Sequence, residues 1–512
     1  MSIQFSRAAL GVACLLPTLA SAQITFSGPT NHALVGVRPD GVAVGDFDGA
    51  NGRDFAVTSG SPSGTNGPDF VESFANQGGG VFVHAQTLLL GNNQGAAEIV
   101  AADLDLDGDL DLAVAQHNTN SVRILLNQGG TFVLGGVTSS GGSETRHIAA
   151  ADLDGDGDID LAASNRSSNN VSLLRNDGAG AFTLMGLVPT GLETYDLALA
   201  DLNGDCRTDI AVAAHDARAV NVMFNLGAGT FGAAVVIPVP GNEKPAGMVA
   251  SDLDGDGDVD LASTTDNNDV GLIVVLRNSG AGAFTSQTFL TNGTNPDAIV
   301  AGDFDGDGDV DLATADEDAS LVSVLANSGN ANFGASLTVA VGVHPGDIAA
   351  GDFDGNGSLE IVVTNRDSNN VSVLTNGTSG GTSTYCTTAP NSAGFGTRID
   401  SRGSVSIAAN SFTLLARCAP SGSTGLFFFG TSTQFATFGN GHRCVGGSLV
   451  RLGPPMSADA TGHAVRALDF TSAAGSSISA GSTRHFQYWH RDVAAGGSQF
   501  NLSDALSATF RP

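Results

Sequence analysis

Residues 152–163 read DLDGDGDIDLAA, and nearly the same letters return as DLDGDGDVDLAS at residues 252–263 and as DFDGDGDVDLAT at residues 303–314. The pattern begins seven times along the chain, at Asp46, Asp103, Asp152, Asp201, Asp252, Asp303 and Asp352. Successive copies are separated by 57, 49, 49, 51, 51 and 49 residues. A repeat of nearly constant period indicates that one small structural unit is stacked several times.

Each unit has the letters of four short strands. One apolar run precedes the acidic motif, as in DAIVAG at residues 297–302, and another follows it. A third segment, such as NNVSLLRN at residues 169–176, leads through the glycine turn DGAGAF to a fourth. Helical repeats need apolar residues three and four positions apart, and this spacing is missing. Four-stranded units of about 50 residues predict the blades of a β-propeller.

The two ends of the repeat region complement each other. The last unit ends near Asn376 without a fourth strand, whereas residues 24–41, ITFSGPTNHALVGVRPDG, resemble the fourth strand and loop ANFGASLTVAVGVHPGDI at residues 331–348. We therefore expect residues 24–37 to pair with the third strand of the unit that holds Asp352, which removes an exposed sheet edge. The prediction is an all-β, seven-bladed propeller over residues 23–378.

These repeats resemble the FG-GAP family, which is found in the propellers of integrin α-subunits and in many secreted bacterial proteins. The resemblance covers residues 23 to about 378. It implies a propeller with calcium bound in hairpin loops of its blades, and it implies little about the ligand.

The acidic motif has the ligand chemistry of calcium, a hard cation that takes six to eight oxygen atoms. Carboxylates or amides at positions one, three and five, a backbone carbonyl at position seven and a side chain at position nine can face one centre. An EF-hand needs its closing Glu at position twelve, where Val114 stands in the second copy. The flanking segments are strands, so we predict the hairpin version of the loop and about four to six Ca²⁺ ions.

The predicted metal ligands come from six copies of the motif. They are Asp103, Asp105, Asp107, Asp109 and Asp111; Asp152, Asp154, Asp156, Asp158 and Asp160; Asp201, Asn203, Asp205, Arg207 and Asp209; Asp252, Asp254, Asp256, Asp258 and Asp260; Asp303, Asp305, Asp307, Asp309 and Asp311; and Asp352, Asp354, Asn356, Ser358 and Glu360.

The copies differ in quality. Those at Asp103, Asp152, Asp252 and Asp303 are the fullest, and the copies at Asp201 and Asp352 carry substitutions. The copy at Asp46 has Ala50 at position five and Arg53 close by, so its occupancy is left open.

Charge and motifs narrow the function. The chain has 52 acidic and 21 basic residues and a formal net charge of −31, which repels nucleic acid and anionic lipid and attracts cations. The letters G-x-S-x-G occur once, as GTSGG at residues 377–381, but in a Gly/Ser/Thr linker and not as an elbow between a strand and a helix. Neither an H-E-x-x-H helix nor a phosphate loop occurs. We therefore predict that the chain has no catalytic residues and does not insert into a membrane. We expect a binding or adhesion protein whose ligand is an extracellular protein or glycan. The alternatives are a polysaccharide lyase or hydrolase, and calcium-dependent assembly of an extracellular layer.

The calcium loops join the first and second strands of each unit, and the glycine turns join the third and fourth strands. Since successive strands run in opposite directions, both kinds of loop are expected on one face of the disc. The opposite face is the expected ligand face, because loops on a rigid scaffold carry function. The loops there include Arg38, Arg146, Tyr195, Asn295, His344, His117, Arg166, His215, Asp316 and Arg366.

The sequence of the N-terminal residues predicts that the protein is exported. Residues 1–22 have the form of a signal peptide, with Arg7 before an apolar run and Ala20-Ser21-Ala22 before the cleavage site. Cys14 lies in a poor lipoprotein box. We expect a secreted or cell-surface protein.

A second domain follows a linker at residues 379–385. Alternating segments such as SFTLLARC at residues 411–418 predict a small β-sandwich over residues 386–512. The domain resembles a C-terminal module of secreted planctomycete-type bacterial proteins, which implies a Cys386–Cys444 disulfide. Cys418 is then left over or bonds Cys206 of the propeller. Tyr488 and Trp489 could form a sugar platform or part of the core.

Overall fold

The computed structural model describes residues 24–60, 66–266, 270–378, 381–385, 391, 396–472, 475–494 and 499–511. Nearly all regular structure in them is β, with two short 3₁₀ turns at Pro240–Asn242 and Gly475–Ser477. Neither of these turns is long and apolar enough to cross a membrane.

The repeat region forms four-stranded antiparallel sheets, of which the described residues contain seven, numbered here 1 to 7. Sheet 1 contains β2 (Pro39–Gly45), β3 (Asp54–Ser59), β4 (Pro68–Asn76) and β5 (Phe82–Asn92). Sheet 2 contains β6 (Ala96–Ala102), β7 (Asp111–Gln116), β8 (Ser121–Asn127) and β9 (Phe132–Ser139). Sheet 3 contains β10 (Thr145–Ala151), β11 (Asp160–Asn165), β12 (Asn170–Asn176) and β13 (Phe182–Pro189).

The other four sheets repeat this plan. Sheet 4 contains β14 (Thr194–Ala200), β15 (Asp209–Ala214), β16 (Ala219–Met223) and β19 (Val235–Pro238), with a hairpin of β17 (Asn225–Gly227) and β18 (Thr230–Phe231) inserted. Sheet 5 contains β20 (Pro245–Ser251), β21 (Asp260–Thr265), β22 (Leu272–Asn278) and β23 (Phe284–Leu290). Sheet 6 contains β24 (Pro296–Gly302), β25 (Asp311–Asp316), β26 (Leu321–Leu325) and β27 (Leu337–Ala340). Sheet 7 contains β28 (Pro345–Gly351), β29 (Glu360–Asn365), β30 (Asn370–Leu374) and β1 (Thr30–Ala33).

Burial follows the position of a strand within its sheet. Every residue of the second strand is buried in each of the seven sheets, as in β11. The fourth strand is largely exposed, as in β19. A strand that has paired neighbours on both edges and other sheets over both faces is mostly apolar in its middle, which explains runs such as LAVA after Asp111.

The N-terminal segment supplies the fourth strand of sheet 7. Thr30 faces Val373 and Ala33 faces Asn370 in an antiparallel register, and a further bridge joins Phe26 to Asn376. The first strands of successive sheets pack against one another, and β2 contacts both β6 and β28. Sheet 1 therefore lies beside sheet 7.

The C-terminal residues form a separate set of sheets. The larger sheet has the order β31 (Gly381–Tyr385), β41 (Phe500–Thr509), β40 (Thr483–Arg491), β34 (Thr424–Gly430) and β37 (Val450–Arg451), with β38 (Met456–Ser457) also on β34. A second sheet contains β32 (Arg398–Arg402), β33 (Thr413–Arg417) and β39 (Ala464–Ala467), and β35 (Ser432–Phe438) pairs with β36 (Gly441–Gly446). Side chains of the two larger sheets share one apolar core, which includes Leu414, Phe427 and Phe486.

The structure differs from the sequence prediction at the linker. The Gly, Ser and Thr content of residues 379–385 predicts a linker. Within this range, Gly381–Tyr385 form β31, and Gly381 faces Thr509 in the large C-terminal sheet. Thr and Tyr suit an edge strand, and pairing with β41 outweighs the linker-like composition.

The structure shows how some of the cysteines are paired. Cys206 in the repeat region is bonded to Cys418 in the C-terminal domain, with 5.7 Å between their Cα atoms. Cys444 is also a disulfide cysteine. Its expected partner, Cys386, lies outside the described residues, so that pairing stays a prediction. Tyr488 is fully buried in the core and cannot serve as a sugar platform.

Candidate functional site

The acidic loops connect the first and second strands of the seven sheets. In every copy the ninth residue is the first residue of the second strand, and it is buried. In the second copy, Asp111 Oδ2 accepts the backbone N–H of Leu104 at 2.9 Å and its Oδ1 accepts that of Asn127 at 2.7 Å. This carboxylate therefore holds the loop against the end of the third strand.

The loops bring several carboxylates together. Asp103, Asp105 and Asp111, at positions one, three and nine, each offer an oxygen within 4.8 Å of the others. Asp152, Asp154 and Asp160 form the same group one sheet later. Asp107, at position five, is not part of the Asp103 group, is exposed and accepts the N–H of Asp109 at 2.9 Å. The backbone carbonyl expected at position seven stays a prediction.

The electrostatics of the loops favour a bound cation. Asp103, Asp252 and Asp303 each have a buried Oδ1 without a hydrogen-bond partner among the described residues. Burial, reinforced by neighbouring carboxylates, raises the pKa of Asp303 to about 8 and that of Asp160 to about 7. A calcium ion would supply the missing partner and offset the desolvation cost, so these residues fit the metal that the family resemblance implies.

The altered copies differ in chemistry. In the loop at Asp201, Arg207 lies 2.8 Å from the Asp205 carboxylate and neutralises part of its charge. In the loop at Asp352, Glu360 Oε2 accepts the N–H of Phe353 at 2.7 Å, while its buried Oε1 has no partner in the described part of the chain.

The copy at Asp46 also brings three carboxylates together. Asp46, Asp48 and Asp54 form a group like those above, although Ala50 replaces the fifth ligand. Positions one, three and nine are intact in this copy, and that signal was visible in the sequence.

An asparagine at the end of each third strand, or two residues beyond it, joins neighbouring sheets. Asn176 Nδ2 in sheet 3 donates to the Leu104 carbonyl in the loop of sheet 2, at 2.8 Å, and to the Ile159 carbonyl in its own sheet, at 3.0 Å. The same bond reaches back one sheet in all seven cases. The donors Asn76, Asn127, Asn176, Asn225, Asn278, Asn327 and Asn376 bond the carbonyls of Phe353, Phe47, Leu104, Leu153, Leu202, Leu253 and Phe304, respectively.

Replacement of Asn176 by Ala is expected to destabilise the protein by about 2 kcal/mol, because it leaves two buried carbonyl groups without a donor. The measurement is urea unfolding in excess calcium. Asn118→Ala is the matched control, since this side chain is exposed and, within the described part of the chain, its hydrogen bond is to Asn93. Equal midpoints for the two variants would show that the bonds between sheets contribute nothing.

The opposite face has a cavity of about 230 Å³. Residues of the first strands and of the loops beside them line it, including Asp40, Glu98, His147, Asp196 and Asp347. Burial and neighbouring acids hold the pKa of Glu98 well above its usual range, and burial raises the pKa of Asp347 to about 7. His147 Nδ1 lies 3.4 Å from Asp196 and 3.7 Å from Glu98.

Three residues expected on this face, Arg146, Tyr195 and Arg366, line the cavity. Arg366 bonds the carboxylates of Asp40 at 2.6 Å, Asp297 at 3.0 Å and Glu317 at 3.1 Å. The Tyr195 hydroxyl donates to Asp297 at 3.2 Å, and this carboxylate and burial both raise the pKa of Tyr195. The acids of the inner strands were missed, although Glu98, Asp196 and Asp347 each directly precede a buried aliphatic residue at equivalent points of the repeat.

His117 and His215, which occupy matching loop positions on this face, have structural partners. His215 is buried between Glu193, 3.1 Å from Nδ1, and Asp266, 3.0 Å from Nε2, and its ring stacks on Tyr195. His117 Nδ1 contacts the Gly95 carbonyl at 2.8 Å.

Comparison with known proteins shows one family. The model of the FG-GAP-like repeat matches residues 104–163, 152–212, 201–263, 252–314 and 303–363, which together span about half of the chain. No match was found among curated proteins.

Solved structures share the fold at low identity. The crystal structure of BBS1N in complex with ARL6DN is 11% identical, with a TM-score of 0.50, and the match covers 68% of this chain and 96% of that one. A lectin from Agrocybe aegerita that recognises non-reducing terminal N-acetylglucosamine is 20% identical, with a TM-score of 0.43 and coverage of 66% and 86%. At these identities the first match shows the fold alone.

Proposed function

The chain belongs to the FG-GAP-like repeat family, and from this we propose that it is a secreted, calcium-binding β-propeller of seven blades that acts as a non-catalytic binding or adhesion protein. Calcium would be held in the loops between the first and second strands. The observation that carries the proposal is the recurrence of three carboxylates at positions one, three and nine, several with a buried oxygen that lacks a partner.

Three features support closure and export. The strand β1 completes sheet 7, and Asn76 of sheet 1 bonds Phe353 of sheet 7, so the interaction between neighbours continues across the chain ends. The Cys206–Cys418 disulfide suits an oxidising compartment outside the cytosol.

The cavity on the face opposite the loops is the proposed ligand site. Its charge disfavours the alternative of a lyase for acidic polysaccharides. Both oxygens of Asp196 accept backbone N–H groups, and Arg366 is already bonded to three carboxylates. Tyr195 is a poor base because its raised pKa keeps the proton on its hydroxyl. We therefore propose recognition of a neutral or cationic group on an extracellular protein or glycan.

Binding to an array of glycans and extracellular proteins tests this function. We expect calcium-loaded protein to bind at least one array member and EDTA-treated protein to bind it less, because the loops stabilise the scaffold. Glu98→Gln should change the affinity about tenfold, because the amide cannot make the same hydrogen bonds to a ligand as the protonated carboxyl group of Glu98. Asp177→Asn, which removes one charge from an exposed turn on the loop face, is the control.

Equal affinities for the two variants would move the ligand site away from the cavity. Release of unsaturated sugar ends from a polysaccharide would contradict the non-catalytic assignment.

A further inference from the structure

The C-terminal domain lies on the calcium-loop face. Its Cys418 is bonded to Cys206 in the loop of sheet 4, and Arg511 Nη1 donates to the Asp305 carbonyl in the loop of sheet 6 at 3.0 Å. In sheet 7, a Cβ atom added to Gly357 would collide with Thr509. The loops at Asp103 and Asp152 make no hydrogen bond or ion pair to this domain among the described residues. The domain therefore divides the loops into covered and free ones.

The loop of sheet 5 receives two arginines from this domain. Asp252 Oδ2 lies 3.4 Å from Arg402 Nη2 and 3.5 Å from Arg417 Nη2. Arg417 Nη1 also donates to the backbone carbonyl of Gly257 in the same loop. The Asp252 side chain is only 13% exposed, so solvent screens these charges weakly.

The loop at Asp152 has the same motif and a different arrangement. Asp152 Oδ1 accepts the N–H of Gly155 at 2.7 Å, and its Oδ2 accepts that of Gly157 at 3.2 Å. Neutral backbone groups thus orient Asp152, whereas two full positive charges lie beside Asp252. Sequence alone ranks the two loops together, because both read DLDGDGD.

We propose that Arg402 and Arg417 hold Oδ2 of the first-position carboxylate of the Asp252 loop as a docking contact. Oδ1 of Asp252, which has no partner among the described residues, is left for calcium, and the two arginines make this loop bind calcium more weakly than the Asp152 loop. Each guanidinium repels a divalent cation at the same carboxylate, and the low exposure of the site strengthens the repulsion. Asp400, 3.5 Å from Arg417, neutralises part of this charge. We expect affinities that differ about tenfold or more. The inference rests on the proposed calcium function.

Native mass spectrometry of the whole mature protein counts bound calcium ions directly during a titration. Asp152→Asn should remove one ion from the tightly bound set, and Asp252→Asn should leave that set unchanged. The double variant Arg402→Gln with Arg417→Gln should add one tightly bound ion. Asp252→Asn in that double variant should remove the added ion again. The Cys206–Cys418 bond keeps the domain tethered throughout.

The outcomes separate the two proposals. If Asp252→Asn removes a tightly bound ion from the otherwise unaltered protein, as Asp152→Asn does, the docking role is wrong while calcium binding stands. If the arginine variant gains no ion, the docking role is also wrong. If no protein binds calcium, both proposals fail. Circular dichroism of every variant, with the unaltered spectrum required, shows that a lost ion reflects the loop and not unfolding.

Discussion

Chelation of calcium from the mature protein is expected to lower its melting temperature by at least about 10 °C. Each ion that binds only the folded state stabilises it by about 2.7 kcal/mol at a hundredfold excess over Kd. Several sites together exceed the stability of a typical domain. Magnesium should restore the melting temperature poorly, because it requires a smaller octahedral site. Differential scanning calorimetry with EDTA, calcium or magnesium measures the effect.

The pH dependence gives the same experiment a second readout. The loop carboxylates Asp160 and Asp303 have pKa values of about 7 and about 8, raised from 3.8 by burial. The metal-free folded state thus binds protons more tightly than the unfolded chain, so it loses stability as the pH rises from about 4 to 8. Calcium replaces those protons. The difference in melting temperature between loaded and chelated protein should therefore be larger at pH 8 than at pH 5.

Replacement of Asp154 and Asp156 together by Ala should remove one ion and part of the shift. Identical melting temperatures with and without calcium would mean that the loops are acidic turns with no resident ion, and the central proposal would be wrong.

Deletion of residues 24–37 should abolish the soluble, monomeric folded state. The deletion exposes the edge of β30 and removes Ile24, which is buried between sheets 6 and 7. It also removes His32, whose ring lies 5.7 Å from that of Phe74 in sheet 1. One short segment therefore holds three sheets together, and a bare strand edge promotes aggregation.

Size-exclusion chromatography and calorimetry of the truncated chain measure this loss. A synthetic peptide of residues 24–37 should restore the monomer, and a peptide of the same composition in scrambled order should not. A truncated chain that stays monomeric and melts at the original temperature would show that β1 does not close the structure.

Much of the fold could be predicted from the repeated sequence, because the strand, turn and loop patterns within each unit all indicate the same structure. The acidic hairpin, the apolar second strand and the glycine turn recur at a constant spacing, and the comparison of residues 24–41 with residues 331–348 led to the pairing seen between β1 and β30. These are short-range or repeated patterns, which a single sequence displays directly.

The remaining features depend on contacts that no spacing reveals. Arg402 contacts Asp252, which is 150 residues away in the sequence, and no sequence motif links the two residues. The cavity acids stand singly in apolar first strands, and only the packing of these strands against one another brings the acids together. The asparagine hydrogen bonds between sheets are an intermediate case, because they are long-range contacts made by a residue that recurs at a fixed place in the repeat. Asn176 follows Asp160 by 16 residues and Asn225 follows Asp209 by the same number, so aligning the copies would have identified the position.

The asparagine bonds also bear on how such an array can lengthen in evolution. Each bond needs one side chain and one carbonyl from the unit before it, so a duplicated unit brings both and leaves the older bonds intact. The Cys206–Cys418 disulfide is not repeated in this way. Cys206 lies in the loop of sheet 4 and the domain that carries Cys418 follows sheet 7, so a unit inserted between them would separate the two cysteines. The cross-link thereby favours a constant number of units between Asp201 and the C-terminal domain.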